Sequence, residues 1–243
     1  MFPGIGTVLN VATILIGSVI GIFIGEKLKE RTRSLITDIL GMVTLLGAAS
    51  AIIPLFKDQY SSSIPKGWST MPILIALLLG GLIGSALKLE ERVEHLGEYL
   101  RNKFNSHEGS FVEGFLNSSL LFAIGPLAIL GSISDGMSKG IDQLTLKSVL
   151  DGFASIAFAS SLGWGVAASA ISVGIYQGLW TISGLFLGNV MTDYQVDAMT
   201  ITGGILLLAI GFRLLKLKDI PVGNLLPSLF LAPLLAAAFH SFI

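Results

Sequence analysis

Seven or eight stretches of about twenty mostly apolar residues run through this chain, each long enough to cross the hydrocarbon core of a bilayer as a helix. Charge clusters are confined to the short gaps between them. Backbone N–H and C=O groups in lipid have no water to bond, so each stretch must satisfy them internally, as a helix does. Spans are expected at roughly 5–25, 35–55, 71–88, 112–134, 147–163, 165–190, 199–215 and 222–242. The stretch 146–191 is too long for one crossing and is interrupted only at Gly163-Trp164-Gly165, so it reads as two helices joined by a tight turn. The fold class that follows is all-α: a polytopic membrane helix bundle of about eight transmembrane helices, one integral membrane domain over 1–243.

Composition narrows the function. With 52% hydrophobic and 13% charged residues and a mean hydropathy of +0.79, a water-soluble fold would lack polar surface to cover its exterior. The spans use nearly all of the 243 residues, which leaves no room for a soluble catalytic domain. No cysteine is present, which excludes disulfides and thiol chemistry, and His95, His107 and His240 are scattered. No metal site and no cofactor are therefore expected. Nor is an enzyme, since no histidine, metal-ligand set or serine–lysine pair lies at bilayer depth. A net charge of −1 argues against nucleic acid as a partner. The first span has no basic start and no small-residue cleavage site, so it is expected to stay in the mature protein.

Orientation follows from the basic residues, which are retained on the cytoplasmic side during insertion. The first loop holds Lys27, Lys29, Arg31 and Arg33; the third Lys88, Arg92, Arg101 and Lys103; the seventh Arg213, Lys216 and Lys218. Against these eleven the even loops hold four: Lys57, Lys66, Lys139 and Lys147. Both termini are thus expected outside the cytoplasm, a parity that eight spans satisfy. Residues 56–70 read as a flexible outer connection with Tyr60 and Trp68 at headgroup level. In 88–105, Leu89, Val93, Leu96, Leu100 and Phe104 share one face while Glu90, Glu91, Glu94, Glu98 and Arg101 take the other. That pattern predicts a cytoplasmic amphipathic helix that continues span three along the inner membrane surface or docks a partner.

Weak internal similarity suggests a four-plus-four repeat with halves 1–134 and 147–243. Ser119-Leu-Leu-Phe-Ala-Ile-Gly-Pro-Leu-Ala resembles Ser228-Leu-Phe-Leu-Ala-Pro-Leu-Leu-Ala, and Val8-Leu9-Asn10 matches Val149-Leu150-Asp151. Four-residue spacing puts Gly17, Gly21 and Gly25, then Gly80 and Gly84, then Gly184 and Gly188, each on one helix face, where another backbone can approach closely. Such contacts are expected first within the bundle and second in a homodimer.

A polar group in hydrocarbon is costly, so it marks where chemistry sits. Ser148, Asp151, Ser155 and Ala159 form a narrow small and polar stripe that must face protein or water. Asp151 is the lone carboxylate on it, and Lys147 one turn earlier can pair with it. Gly125-Pro126 breaks span four near its middle, freeing backbone groups of the kind that transporters offer to a substrate, with Pro233 as its counterpart in span eight. Asn10, Asn117, Ser118, Ser119, Gln177 and a stripe of Ser169, Ser172 and Tyr176 supply further polar groups, and the loop 131–136 brings Asp135 near Asp151.

Gly6-Thr7-x-x-Asn10, the block 125–136, Lys-Ser-Val-Leu-Asp-Gly-Phe at 147–153, Gln177-Gly178 and Asn224-Leu-Leu-Pro227 resemble the bacterial membrane-protein family called domain of unknown function 554. The resemblance covers essentially the whole chain and departs from the family at Ile124, where the family has cysteine. It implies an integral protein of the bacterial cytoplasmic (inner) membrane, a transporter class without an established substrate. The expected function is secondary transport, or channel conduction, of a small solute or ion. Its site would be lined by spans one, four, five and eight, with Asp151, Asp135, Asn10, Asn117, Ser155, Gln177 and the Gly125-Pro126 backbone as binding groups. The competing expectation is a non-transporting organising or sensing protein acting through its amphipathic helix.

Overall fold

The computed structural model describes residues 2–103, 110–123, 126–187 and 191–242. Among them every regular element is helical: α1 (Ile5–Gly25), α2 (Glu30–Ile52) running into a 3-10 turn (Ile53–Phe56), α3 (Asp58–Ser61), α4 (Met71–Ala86), α5 (Leu89–Lys103), α6 (Phe111–Ala123), α7 (Pro126–Gly136), α8 (Asp142–Leu162), α9 (Trp164–Leu187), α10 (Asp193–Leu214), α11 (Val222–Leu225) and α12 (Pro227–His240). The all-α class is as expected from the apolar stretches. Five segments are long and apolar enough to cross a membrane singly: α1, α2 with its 3-10 turn, α9, α10, and α11 with α12. Two bent pairs, α4 with α5 at 57° and α6 with α7 at 64°, bring the candidates to seven if each pair is one crossing. Helix α8, where the fifth of the eight spans is expected, is 21 residues long but is not among these candidates; its Lys147, Asp151 and serines lower its hydropathy beneath that of the others.

Several helix ends follow from single residues. Gly163 sits at φ 72° and ψ −150° between α8 and α9, which makes the tight turn expected there. The bend between α4 and α5 turns on Lys88, whose φ is 53°. Helix α10 begins at Asp193, earlier than the expected 199, because Thr192 N–H donates to Gln195 Oε1 at 2.9 Å and Asp193 lies in the first turn. In the last span the chain breaks at Leu226, before Pro227, while Pro233 lies inside a continuous α12.

The helices gather into two compact units, residues 1–40 with 94–190 and residues 41–93 with 191–243. This division describes packing and is separate from the sequence halves 1–134 and 147–243.

In the first unit α1 and α8 run side by side in the same direction. A Cβ at Gly17, Gly21 or Gly25 would collide with the carbonyl oxygens of Gly152, Ile156 and Ser160 in turn. One glycine face therefore seats a whole helix. Gly184 of α9 meets Ile133 of α7, and Gly165 meets the Phe111 carbonyl of α6 in the same way. The glycine faces lie within the chain, the first of the two arrangements expected; Gly188 is outside the described residues. Arg33 Nε donates to the Ser160 carbonyl at 3.3 Å, tying the start of α2 to α8.

The second unit is built on α4, α10 and α12. Gly80 and Gly84 accept the backbone of Ser228 and Asn224 at close range. Its core joins Tyr60, Ile64, Ile73, Ala76, Ala198, Ile201, Ala232 and Ala236. Tyr60 is therefore no headgroup anchor. It is fully buried with its hydroxyl donating to the Ser69 carbonyl at 3.2 Å, and burial, reinforced by the Asp197 carboxylate, pushes its phenol above the ordinary range. Trp68 stays half exposed against Phe239. Glu90 also departs from expectation: instead of lying on the polar face of α5 it is buried, ion-paired with Arg213 at 2.9 Å, and accepts from Gly223 N–H. Asn224 Oδ1 in turn accepts from Glu90 N–H at 2.9 Å, which gives the Asn-Leu-Leu-Pro segment its role as a cap on α5.

Candidate functional site

Helix α1 buries one face, Gly6, Thr7, Asn10, Ile14, Gly17, Ser18 and Gly21. Its first two turns meet two carboxylates. Asp135 Oδ2 accepts from Gly6 N–H at 2.9 Å, and Asp151 Oδ2 accepts from Asn10 Nδ2 at 2.9 Å. Gly6 and Asn10 are one turn apart, about 6 Å along the axis. The segment 131–136, expected as a loop, is the last part of α7, and Asp135 in its final turn is buried against the N-terminus of α1. A carboxylate is favoured there because the first amides of a helix are unpaired and carry partial positive charge.

The stripe expected on span five is wholly buried: Ser148, Asp151, Ser155 and Ala159. It faces α1, since a Cβ on Gly17 or Gly21 would touch Ser155 and Ala159. Lys147 belongs to this stripe rather than to an outer loop. It lies in the second turn of α8, is 6% exposed, and its Nζ pairs with the same Asp151 Oδ2 that Asn10 holds. Its position four residues before an intramembrane acid was the sequence signal for this role.

Helix α9 brings in Gln177. Thr7 Oγ1 lies 3.3 Å from Thr181 Oγ1, and Val11 packs on Gly174, so α9 runs antiparallel to α1. Between these two contacts the register sets Gln177 level with Asn10. Helix α6 packs along α9, with Ser119 Oγ donating to Ser172 Oγ at 3.2 Å, and contributes Asn117. Span six, α9, packs on α1, α6 and α7 and so joins the expected spans one and four in this unit; α12 packs on α4 and α10. Gly125 lies outside the described residues, and Pro126 opens α7.

The interior of this unit is polar and incompletely paired. Asn10 Oδ1, both carboxamide atoms of Asn117 and of Gln177, and the hydroxyls of Ser18, Ser118 and Ser155 are buried without a partner among the described residues. Unpartnered buried polar atoms are rare in folded proteins and mark a place where something else bonds. Among the described residues no three His, Cys, Asp or Glu side chains converge as a metal cluster. The donors present are carboxylate, carboxamide and hydroxyl oxygens, a hard set that suits hard cations and hydrated solutes.

The family described as "Protein of unknown function (DUF554)" matches residues 5–237. The chain belongs to this family. The DUF554 chain is 31% identical to "Uncharacterized membrane protein YdfK" of Bacillus subtilis over 98% of its own length and 97% of that protein's. It is 32% identical to "Uncharacterized protein YqgA" of Escherichia coli, with 97% of each chain covered. A shorter similarity, 31% over 104 residues, covers 40% of the DUF554 chain and 58% of the "Putative manganese efflux pump MntP" of Methanosphaera stadtmanae. No solved structure matches. Together with the long apolar helices, these relatives make the DUF554 chain a membrane protein.

Proposed function

We propose that the protein is a secondary transporter of a small cation in the bacterial cytoplasmic membrane, not an enzyme, with its binding site inside the first unit. One observation carries this reading: a buried Asp151, held by Lys147 and Asn10, sits in a unit whose interior holds carboxamides and hydroxyls without a partner among the described residues. A charge at that depth is expensive, and packing alone would be served better by apolar side chains. Asp151 supplies the negative charge, and Asn10 Oδ1, Ser155 Oγ and the Gln177 carboxamide replace part of the cation's hydration shell. Asn117 lies further along the same interior and forms the path. The partial similarity to a protein named as a manganese efflux pump supports a cation over a neutral solute. Both termini lie outside the cytoplasm in this reading, as the basic loops require.

Reconstituted protein in liposomes, assayed for uptake of manganese(II), potassium and sodium, tests it. The parent moves at least one of them above protein-free vesicles, and Asp151→Asn returns that flux to baseline. Flux in the Asp151→Asn variant equal to the parent's, or none for any of the three cations, overturns the reading. A second reading, organisation of a partner through α5, draws on the exposed Leu96 and Tyr99 of that helix. It requires that Leu96→Ser/Tyr99→Ser lose a stoichiometric associate in pull-downs from native membranes while transport is unaffected.

A further inference from the structure

We infer that Lys147 is a tethered cation that occupies the substrate's place on Asp151 and moves to Asp135 when the substrate arrives; this rests on the cation-transport reading above. Lys147 Nζ and Asn10 Nδ2 both sit on Asp151 Oδ2, so that oxygen is already neutralised and already coordinated. A cation arriving at Asp151 meets an ammonium a few ångströms away in a site of low dielectric, where two like charges on one carboxylate repel strongly. One of them must leave. Among the described residues Lys147 Nζ is held by Asp151 alone, and its flexible stem lets the point charge swing.

The second seat is built in. Among the described residues the Asp135 carboxyl accepts from one donor, the Gly6 amide at 2.9 Å. A Cβ on Gly6 would touch Leu144 of α8 on one side and lie 3.1 Å from Asp135 Oδ2 on the other. Asp135 is thus beside the turn of α8 that carries Leu144, and Leu144 is three residues before Lys147 on the same helix face. Side chains in a helix lean toward its N-terminus, so Lys147 naturally extends back toward that level, away from Asp151. The two carboxylates are about one helical turn apart along α1, a separation that a lysine stem spans by changing rotamers. Two acids and one ammonium leave one negative charge for the substrate. The ammonium is never released to lipid, because it has a carboxylate at either end of its travel.

Binding of manganese(II) and of thallium(I), as divalent and monovalent probes, to the purified full-length protein in nanodiscs tests this. Removing the internal competitor in Lys147→Met tightens binding by about tenfold or more. Asp135→Asn, which keeps an acceptor for the Gly6 amide, removes the second seat and weakens binding by about tenfold although it does not touch the probe. With Lys147 already replaced, Asp135→Asn has a clearly smaller effect, only the loss of one negative charge about a helical turn away. That coupling is what a merely structural ion pair would not produce. If the parent binds neither probe, the cation reading itself fails. If the parent binds while Lys147→Met binds no tighter, or Asp135→Asn acts equally with and without Lys147, the cation reading stands and the tethered-lysine inference is wrong. Should Lys147→Met not fold, Asp135→Asn in the parent decides alone: unchanged binding overturns the inference.

Discussion

Asp151 and Lys147 are stable only as a pair. Replacing one partner of a buried ion pair leaves the other charge uncompensated in a medium that solvates it poorly, at a cost of about 3–5 kcal/mol. Asp151→Asn is therefore expected to lower the thermal midpoint sharply in detergent, and Lys147→Met/Asp151→Asn to recover most of the loss. A double variant as unstable as the single one would show that packing, not charge, dominates at this position. The glycines make a separate residue-scale prediction. A methyl at Gly17 or Gly21 is driven into a backbone carbonyl of α8, which cannot move aside as a side-chain tip can, whereas a methyl at Gly178 meets nothing within 4 Å. Gly17→Ala and Gly21→Ala should each cost about 1–3 kcal/mol, and Gly178→Ala should be neutral or slightly stabilising. Equal midpoints for all three would mean that α1 and α8 are not in close contact.

At the scale of elements, the joints carry the strain. Gly163 holds φ 72° between α8 and α9, a conformation that L residues adopt at a cost of about 1–3 kcal/mol, so Gly163→Ala should lower the midpoint. Lys88 holds φ 53° without being glycine, so Lys88→Gly should raise it, by about 1 kcal/mol. Opposite shifts at two positive-φ joints would separate backbone strain from any effect of side-chain loss. The turn at Gly163 was legible because Gly-Trp-Gly is the sole interruption in a long apolar run. The start of α10 was not, since Thr192 and Gln195 lie in a polar stretch that resembles a loop until their mutual hydrogen bond is seen. The helix end at Asp135 is hidden in the sequence for a related reason. Ser-Ile-Ser-Asp-Gly has the composition of a turn, and only the N-terminus of α1, distant in sequence, makes it a helix end. The burial of the 148–159 stripe was legible because small and polar residues at helical spacing cannot face lipid. That Gln177 lies level with Asn10 depends on the register between α1 and α9, set by Thr7 with Thr181 and Val11 with Gly174, and no local pattern encodes such a register. The burial of Glu90 is not legible locally, because its partner Arg213 is more than a hundred residues away.

For the whole molecule, the decisive unknown in the sequence is whether α8 crosses the membrane, because its hydropathy alone is the weakest of the spans. If it crosses, there are eight spans, both termini share a side, and the basic first, third and seventh loops all face the cytoplasm. Lys147, being buried in α8, leaves only Lys57, Lys66 and Lys139 as basic residues in the even loops, which sharpens the asymmetry that fixes orientation. The chain has no cysteine, so single cysteines can report the side of each loop directly. Ser62→Cys and Lys139→Cys, both at exposed positions, should react with a membrane-impermeant maleimide added to intact spheroplasts. Lys29→Cys, Lys103→Cys and Lys218→Cys should react only after permeabilisation. The pair Lys139 and Lys218 is the sensitive one, because they flank α8, α9 and α10. Three crossings put them on opposite sides, and two put them on the same side. Labelling of Lys218→Cys from outside would therefore mean that α8 lies along the surface. Asp151 and Lys147 would then face headgroups instead of hydrocarbon, the energetic argument for a transport site would lose its premise, and the ion pair would be an ordinary interfacial contact.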